Sequence, residues 1–322
     1  MSERKKSEEI ANSEEMCLNS RFIDLTRDYG FKIVMADESH PELMLGFLNA
    51  VITEREIVSI RFLNTEMLPP YEENRRTNYD ILCMDSEGNR FLIEMQKRSY
   101  DCFADRLITY AGLQASHLLK RSEPYTSVRT LYVISVLDGY LKVADEDAPR
   151  RDSVLRQARV RMDDSGSAMS DRENFIFVQL PAACEPAEDS TFIEKWAWYV
   201  RGMVKYGEKP SGLEPYFDLL FEASDRKNIE EGKLSIYDRM TRDEIQIAAE
   251  RDYAVREGKA EGREIGLAEG LAEGRAEGLA EGRAEGRAEA NLETARKLKQ
   301  EGVDIELISR CTCLSVDEVM AL

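Results

Sequence analysis

The sequence predicts an α/β fold in which helices flank a central mixed sheet, followed by a helical extension toward the C-terminus. Three observations lead there. A hairpin pattern surrounds Ser86-Glu87-Gly88, with short apolar runs on both sides. Two further β-rich runs, 131–137 (LYVISVL) and 175–180 (FIFVQL), lack strong alternation, as strands buried on both faces do. Between and after these runs, apolar residues recur at helical spacing. A chain of 322 residues has room for one large domain with appendages.

Taken in order, residues 1–20 are charged and rich in Ser and Glu, the composition of a mobile arm. A single domain is expected over residues 21–250. Pro41 suits the first turn of a helix whose apolar side carries Leu43, Leu45, Phe47, Leu48 and Val51. Residues 56–63 (EIVSIRFL) read as the first strand, Pro69-Pro70 end regular structure, and Arg75-Arg76 lead into the hairpin. Asp101 caps a helix to about Lys120, with Phe103, Leu107, Ala111 and Leu118 on one side and Arg106, Tyr110, Gln114 and His117 on another. His117 is read as a surface histidine without a catalytic role. Residues 150–172 form a polar excursion or irregular hairpin. A helix over 192–206 covers the sheet with Trp196, Trp198 and Tyr199, and 217–221 and 245–249 continue in helix.

From 257 to 290 the chain repeats a four-residue unit close to AEGR or AEGL. Each glycine costs a helix about 1 kcal/mol relative to alanine. A period of four drifts by roughly 40° per repeat around a helix of 3.6 residues per turn, so no fixed apolar seam forms. A solvated helical spacer is expected. Residues 291–322 then form a small helical tail: a helix over 292–299 closed by Gly302, a second capped by Asp304, and a capping box at Ser315 and Glu318. Repeat and tail together are candidates for self-association into a homo-oligomer.

The hairpin carries the chemistry. Asp80, Glu94 and Gln96 sit inside its strands, where an unpaired buried charge is costly and normally finds a partner or a metal. A two-residue turn at Glu87-Gly88 would put Asp80 and Glu94 on opposite faces. A three-residue loop ending in a left-handed Gly88 pairs Asp85 with Asn89 and sets Asp80 opposite Glu94. Asp80, Glu94 and Gln96 then share a face with Leu82, Met84 and Leu92. Two carboxylates about 5 Å apart beside a neutral amide suit a hard divalent cation.

These residues, followed by a helix bearing Arg106 and Tyr110, resemble the PD-(D/E)XK nuclease superfamily. More narrowly, the chain resembles its Rpn-like branch of recombination-promoting nucleases and putative transposases. The third motif reads IEMQ at 93–96, with Gln96 where relatives have lysine, and RDYGFKIVM at 27–35 is similar to that branch's D-x-x-F-K opening, matching at Asp28, Phe31 and Lys32. The resemblance spans about 22–250 and is dense over 24–110; the tail is also similar to that of many Rpn-like chains.

The resemblance implies a restriction-endonuclease-like core and Mg²⁺-dependent (or Mn²⁺-dependent) cleavage of DNA phosphodiesters in DNA mobility or recombination. Asp80 and Glu94 would hold the metal with the Met95 backbone carbonyl, and Gln96 would orient the water. Lys32, Arg106 and Tyr110 would bind substrate, with Asp28 in support. The alternative is a non-catalytic DNA-binding or self-associating scaffold on a retained nuclease fold.

The chain's net charge of −18 does not favour nucleic-acid binding as a global property. The segment from 75 to 121 runs against that average, with eight Arg and Lys against six Asp and Glu. Six cysteines without a CxxC pair read as reduced thiols in a cytoplasmic protein. No apolar run approaches the length of a membrane span.

Overall fold

A computed structural model describes residues 16–64, 66–67, 77–78, 80–97, 103–116, 123–143 and 150–322. Most of the expected arm 1–20, together with Pro69-Pro70, Arg75-Arg76, Asp101, Cys102, His117 and Lys120, lies outside the described residues. Among the described residues, no helix is long and apolar enough to cross a membrane.

The main sheet has six strands: β1 (Ile60–Phe62), β4 (Ile81–Asp85), β5 (Arg90–Gln96), β6 (Leu131–Leu137), β7 (Leu155–Arg159) and β8 (Glu173–Gln179), ordered β1-β4-β5-β6-β8-β7. The β1–β4, β4–β5 and β7–β8 pairs are antiparallel, while β5–β6 and β6–β8 are parallel, so the sheet is mixed as expected. Two short segments, β2 (Glu66–Met67) and β3 (Thr77–Asn78), pair separately. The central run LYVISVL is buried at every position, which explains why it shows no alternation.

Helices cover both faces. One face packs Ile81, Cys83, Phe91, Ile93, Ile134 and Ile176 against α1 (Asp28–Met35), α2 (Pro41–Val51), α4 (Phe192–Gly202) and α5 (Pro215–Ser224). Trp196 is fully buried there, with Phe47 4.5 Å away between ring centroids, so it is a packing residue. The other face packs Leu82, Leu92, Val133 and Leu137 against Phe103, Leu107 and Ala111 of α3 (Phe103–Ser116).

Three boundaries differ from expectation. The strand expected over 56–63 pairs only at Ile60–Phe62, because β1 is an edge strand with one neighbour. The polar excursion 150–172 contains β7, whose half-exposed edge position accounts for its polar sequence. The helices expected over 245–249, 257–290 and 292–299 are one helix, α6 (Glu231–Gln300), of 70 residues. It contains no proline, and once nucleated, Ala, Glu, Leu, Lys and Arg propagate through the glycines.

The chain divides into two compact units, residues 1–245 and 246–322. In the second, the repeat is exposed throughout, and a cross-section at Ala295, Ile308 and Val319 gathers a small core with α7 (Ile305–Thr312) and α8 (Val316–Ala321). Asp304 accepts hydrogen bonds from Glu306 N–H and Leu307 N–H, Ser315 and Glu318 form the expected capping box, and Gly302 has φ +80°.

The start of α6 belongs to the first unit. Tyr237 is buried and its hydroxyl accepts from Asp24 N–H at 2.8 Å, Arg226 donates to both oxygens of Asp238 at 2.7 Å, and Arg27 pairs with Glu244. A chain ending at residue 256 therefore keeps these contacts and should melt within a few degrees of the full chain. One ending at residue 230 should lose on the order of 10 °C or fail to fold, since a buried aromatic and two ion pairs go with it. Comparing thermal midpoints checks both; a large loss in the longer truncation would mean that the repeat and tail support the core.

Candidate metal and nuclease site

The hairpin register places the site. The ladder runs Met84↔Arg90, Cys83↔Phe91, Leu82↔Leu92, Ile81↔Ile93, and Asp85 N–H donates to Asn89 O at 3.1 Å. The pairing ends there: Asp80, expected inside the strand, is a bend residue directly before β4, and continuing the register by one step would set it opposite Glu94. Gly88 has φ +88°, a left-handed value that glycine adopts without strain. Asp85 locks the turn by accepting from Glu87 N–H and Asn89 N–H, both at 2.9 Å, and by pairing with Arg55 at 2.6 Å.

Beyond Ile81 the Asp80 side chain takes over the ladder: its Oδ2 accepts from Met95 N–H at 2.6 Å. Hydrogen-bonded pairs alternate along an antiparallel ladder, so the Met95 N–H and C=O both face the β4 side, where Asp80 lies. Glu94 is 4% exposed, and its Oε1 is buried without a hydrogen-bond partner among the described residues. Glu94 Oε2 accepts from Arg106 Nη2 at 3.2 Å, and the same nitrogen donates to Gln96 Oε1. The Arg106 guanidinium lies 5.5 Å from the ring centroids of both Phe103 and Tyr110, one turn to either side on α3.

Asp28 opens α1, and the field around Asp80 and Glu94 includes its carboxylate. Burial, then the neighbouring Asp28, pushes the Asp80 carboxyl up to about 7, against the Met95 hydrogen bond and the Arg106 and Lys32 charges. Burial, then Asp80, pushes Glu94 up to about 8, with Arg106 opposing. Asp28 is itself raised by burial and by Glu244. All three carboxyl groups are thus raised above the usual carboxylate range, chiefly because burial strips water from the charged form.

Lys32 and Asp80 line one cleft of about 270 Å³ with Phe62 and Asn64. Hollows of about 360 Å³ beside His40 and Lys233, and about 650 Å³ beside Arg61 and Arg129, include none of the expected site residues. Among the described residues, no group of three or more His, Cys, Asp and Glu side chains forms a ready metal cage. Two carboxylates with a main-chain carbonyl is the donor set that remains. The partnerless Glu94 oxygen and the proton-retaining Asp80 fit a hard cation, which takes oxygen ligands.

Sequence reasoning missed several residues here. Gln114, read as part of a polar helix side, is fully buried and accepts from Arg90 at 2.9 Å. Glu244, far away in sequence, contributes to the field at Asp28 through α6. Ser135, inside an apolar run, occupies the β6 position paired with Glu94. Parallel pairing cannot be read from a turn, so no local signal pointed to the last two.

The fold is that of an α/β domain with a mixed sheet covered by helices on both faces. The chain belongs to the PD-(D/E)XK nuclease family transposases: the family model matches residues 25–253. No curated protein and no solved structure matches it.

Proposed function

We propose that the protein is a divalent-cation-dependent DNA endonuclease acting in DNA mobility or recombination. One observation carries this reading: a buried carboxylate, Glu94, retains a partnerless oxygen and lies close enough to Asp80 for the two charges to act on each other. Asp80, Glu94 and the Met95 carbonyl would hold Mg²⁺ or Mn²⁺. The ion would lower the pKa of a bound water and polarise a phosphoryl oxygen.

The chain's own residues do the rest. The Gln96 oxygen is engaged by Arg106, which leaves its amide nitrogen as the group that positions a water. An amide neither accepts that proton nor carries charge, so the positive charge that a lysine would bring must come from elsewhere. Arg106, stacked over Phe103 and Tyr110, is the nearest source and would pass from Glu94 to the scissile phosphate. Lys32 would meet the phosphate backbone from the cleft beside Asp80, and Asp28 would support the pair from the start of α1.

The carboxyl shifts set the pH dependence. A cation binds the ionised pair, whereas below about 7 to 8 the folded carboxyls hold protons. Affinity for Mn²⁺ should therefore fall as pH drops from 8 to 6, by up to tenfold per unit for each proton displaced. Calorimetry at pH 7 in buffers of different ionisation enthalpy should record proton release. Incubating end-labelled duplex DNA with the protein and Mg²⁺, beside an EDTA control, tests the activity. Metal-dependent fragments are expected. DNA retained without cleavage would favour the scaffold reading, to which the already engaged Glu94 and Gln96 lend support.

A further inference from the structure

Glu94 has neighbours on both sides in the sheet. Asp80, directly before β4, lies on one side, and β6 supplies Ser135 on the other, at the position paired with Glu94 in the parallel register. Side chains at paired positions of adjacent strands stand on the same face, with strands about 4.8 Å apart. Ser135 is fully buried, and its Oγ has no hydrogen-bond partner among the described residues. The Glu94 Oε1 atom is in the same condition. Two buried polar atoms without partners at adjoining register positions are uncommon, because each one costs its full desolvation.

The two defects have complementary chemistry. A hydroxyl is a donor that rotates freely, and an ionised carboxylate only accepts. A hydroxyl beside a carboxylate held by a cation faces a full acceptor in a dry environment, where a charge-assisted bond is strong. A ligating carboxylate is normally held by such an outer hydrogen bond, which fixes its orientation.

We propose that Ser135 is the positioning residue of Glu94: its hydroxyl donates to the carboxylate when a divalent cation is bound, and so sets the cation affinity of the site. This rests on the metal reading given above. Ser135 touches neither the reacting phosphate nor the water, so its effect passes through Glu94.

The test is a calorimetric Mn²⁺ titration of the full chain, of Ser135→Ala, and of Ser135→Thr, which keeps the hydroxyl on a β-branched side chain suited to a strand. Ser135→Ala should bind Mn²⁺ on the order of 10-fold more weakly, and Ser135→Thr should stay within about threefold of the parent. Thermal midpoints give an independent sign. In EDTA, Ser135→Ala should melt at or above the parent temperature, because it deletes a buried hydroxyl without a partner. In saturating Mn²⁺ the order should reverse.

Equal Mn²⁺ affinity in Ser135→Ala and the parent would overturn the proposal while leaving the metal site standing. So would a lower midpoint in EDTA together with unchanged affinity, which would assign Ser135 a purely structural bond. Absence of Mn²⁺ binding by the parent itself would instead sink the metal reading and this proposal with it.

Discussion

Asp80→Ala should abolish both divalent-cation binding and phosphodiester cleavage, whereas Gln96→Ala should lower turnover on the order of 10- to 1000-fold and leave Mn²⁺ affinity nearly unchanged. The asymmetry follows from what each side chain touches. Asp80 is one of the two carboxylates of the proposed donor set, and it also fixes the Met95 main chain by accepting its N–H at 2.6 Å. Its loss removes a ligand and loosens the strand that carries the others. Gln96 lies two residues beyond Glu94 on the same face, and its oxygen receives Arg106. Its loss frees a guanidinium and a water position but no metal ligand. Mn²⁺ calorimetry and cleavage kinetics on each variant separate the two effects. Parent-like cleavage by Gln96→Ala would make Gln96 a structural residue of β5.

Asp24→Ala should cost the protein about 3–5 kcal/mol, a fall on the order of 10 °C in thermal midpoint. Asp24 is buried and accepts from Thr26 N–H at 2.9 Å and from the Thr26 hydroxyl at 2.6 Å, and its other oxygen lies 3.3 Å from Arg27 Nε. Arg27 is equally buried, so losing Asp24 leaves a guanidinium whose one remaining ion pair among the described residues is with Glu244. Asp24→Asn should fall between parent and alanine, because it keeps an acceptor for Thr26 and loses the charge. The same segment positions the site. Gly30 comes so close to the Asp24 carbonyl that an added Cβ would lie 2.3 Å from that oxygen, which fixes α1 and with it Asp28 and Lys32. A midpoint unchanged in Asp24→Ala would mean that Glu244 suffices for Arg27.

The hairpin was legible because turn chemistry and two-residue periodicity are local: Gly88 dictated the loop, and the loop dictated the register of β4 against β5. The capping residues of the tail, Asp304 and Ser315, were legible for the same reason. Ser135 was hidden because its role depends on a parallel pairing with β5, and crossover connections leave no register signal in sequence. Glu244 was hidden because it sits in a charged helix that looks solvated throughout, and only packing against Arg27 distinguishes it. The short pairing of β1 and the edge strand β7 show the same limit, since the number of neighbours a strand has is a property of the sheet order. The repeat was misread in extent alone: its glycines weaken a helix one residue at a time and do not end it.

The central claim is that Asp80 and Glu94 form a cation-dependent phosphodiesterase centre. Supercoiled plasmid incubated with the parent protein and with Asp80→Asn, each with Mg²⁺, Mn²⁺ or EDTA, tests it most directly. Asparagine keeps the size of the side chain and an acceptor for Met95 N–H, so the variant should fold like the parent. The expected result is conversion to open-circular or linear DNA by the parent with either cation, and none by Asp80→Asn or in EDTA. Equal conversion by parent and variant, or no conversion by the parent with either cation, would contradict it.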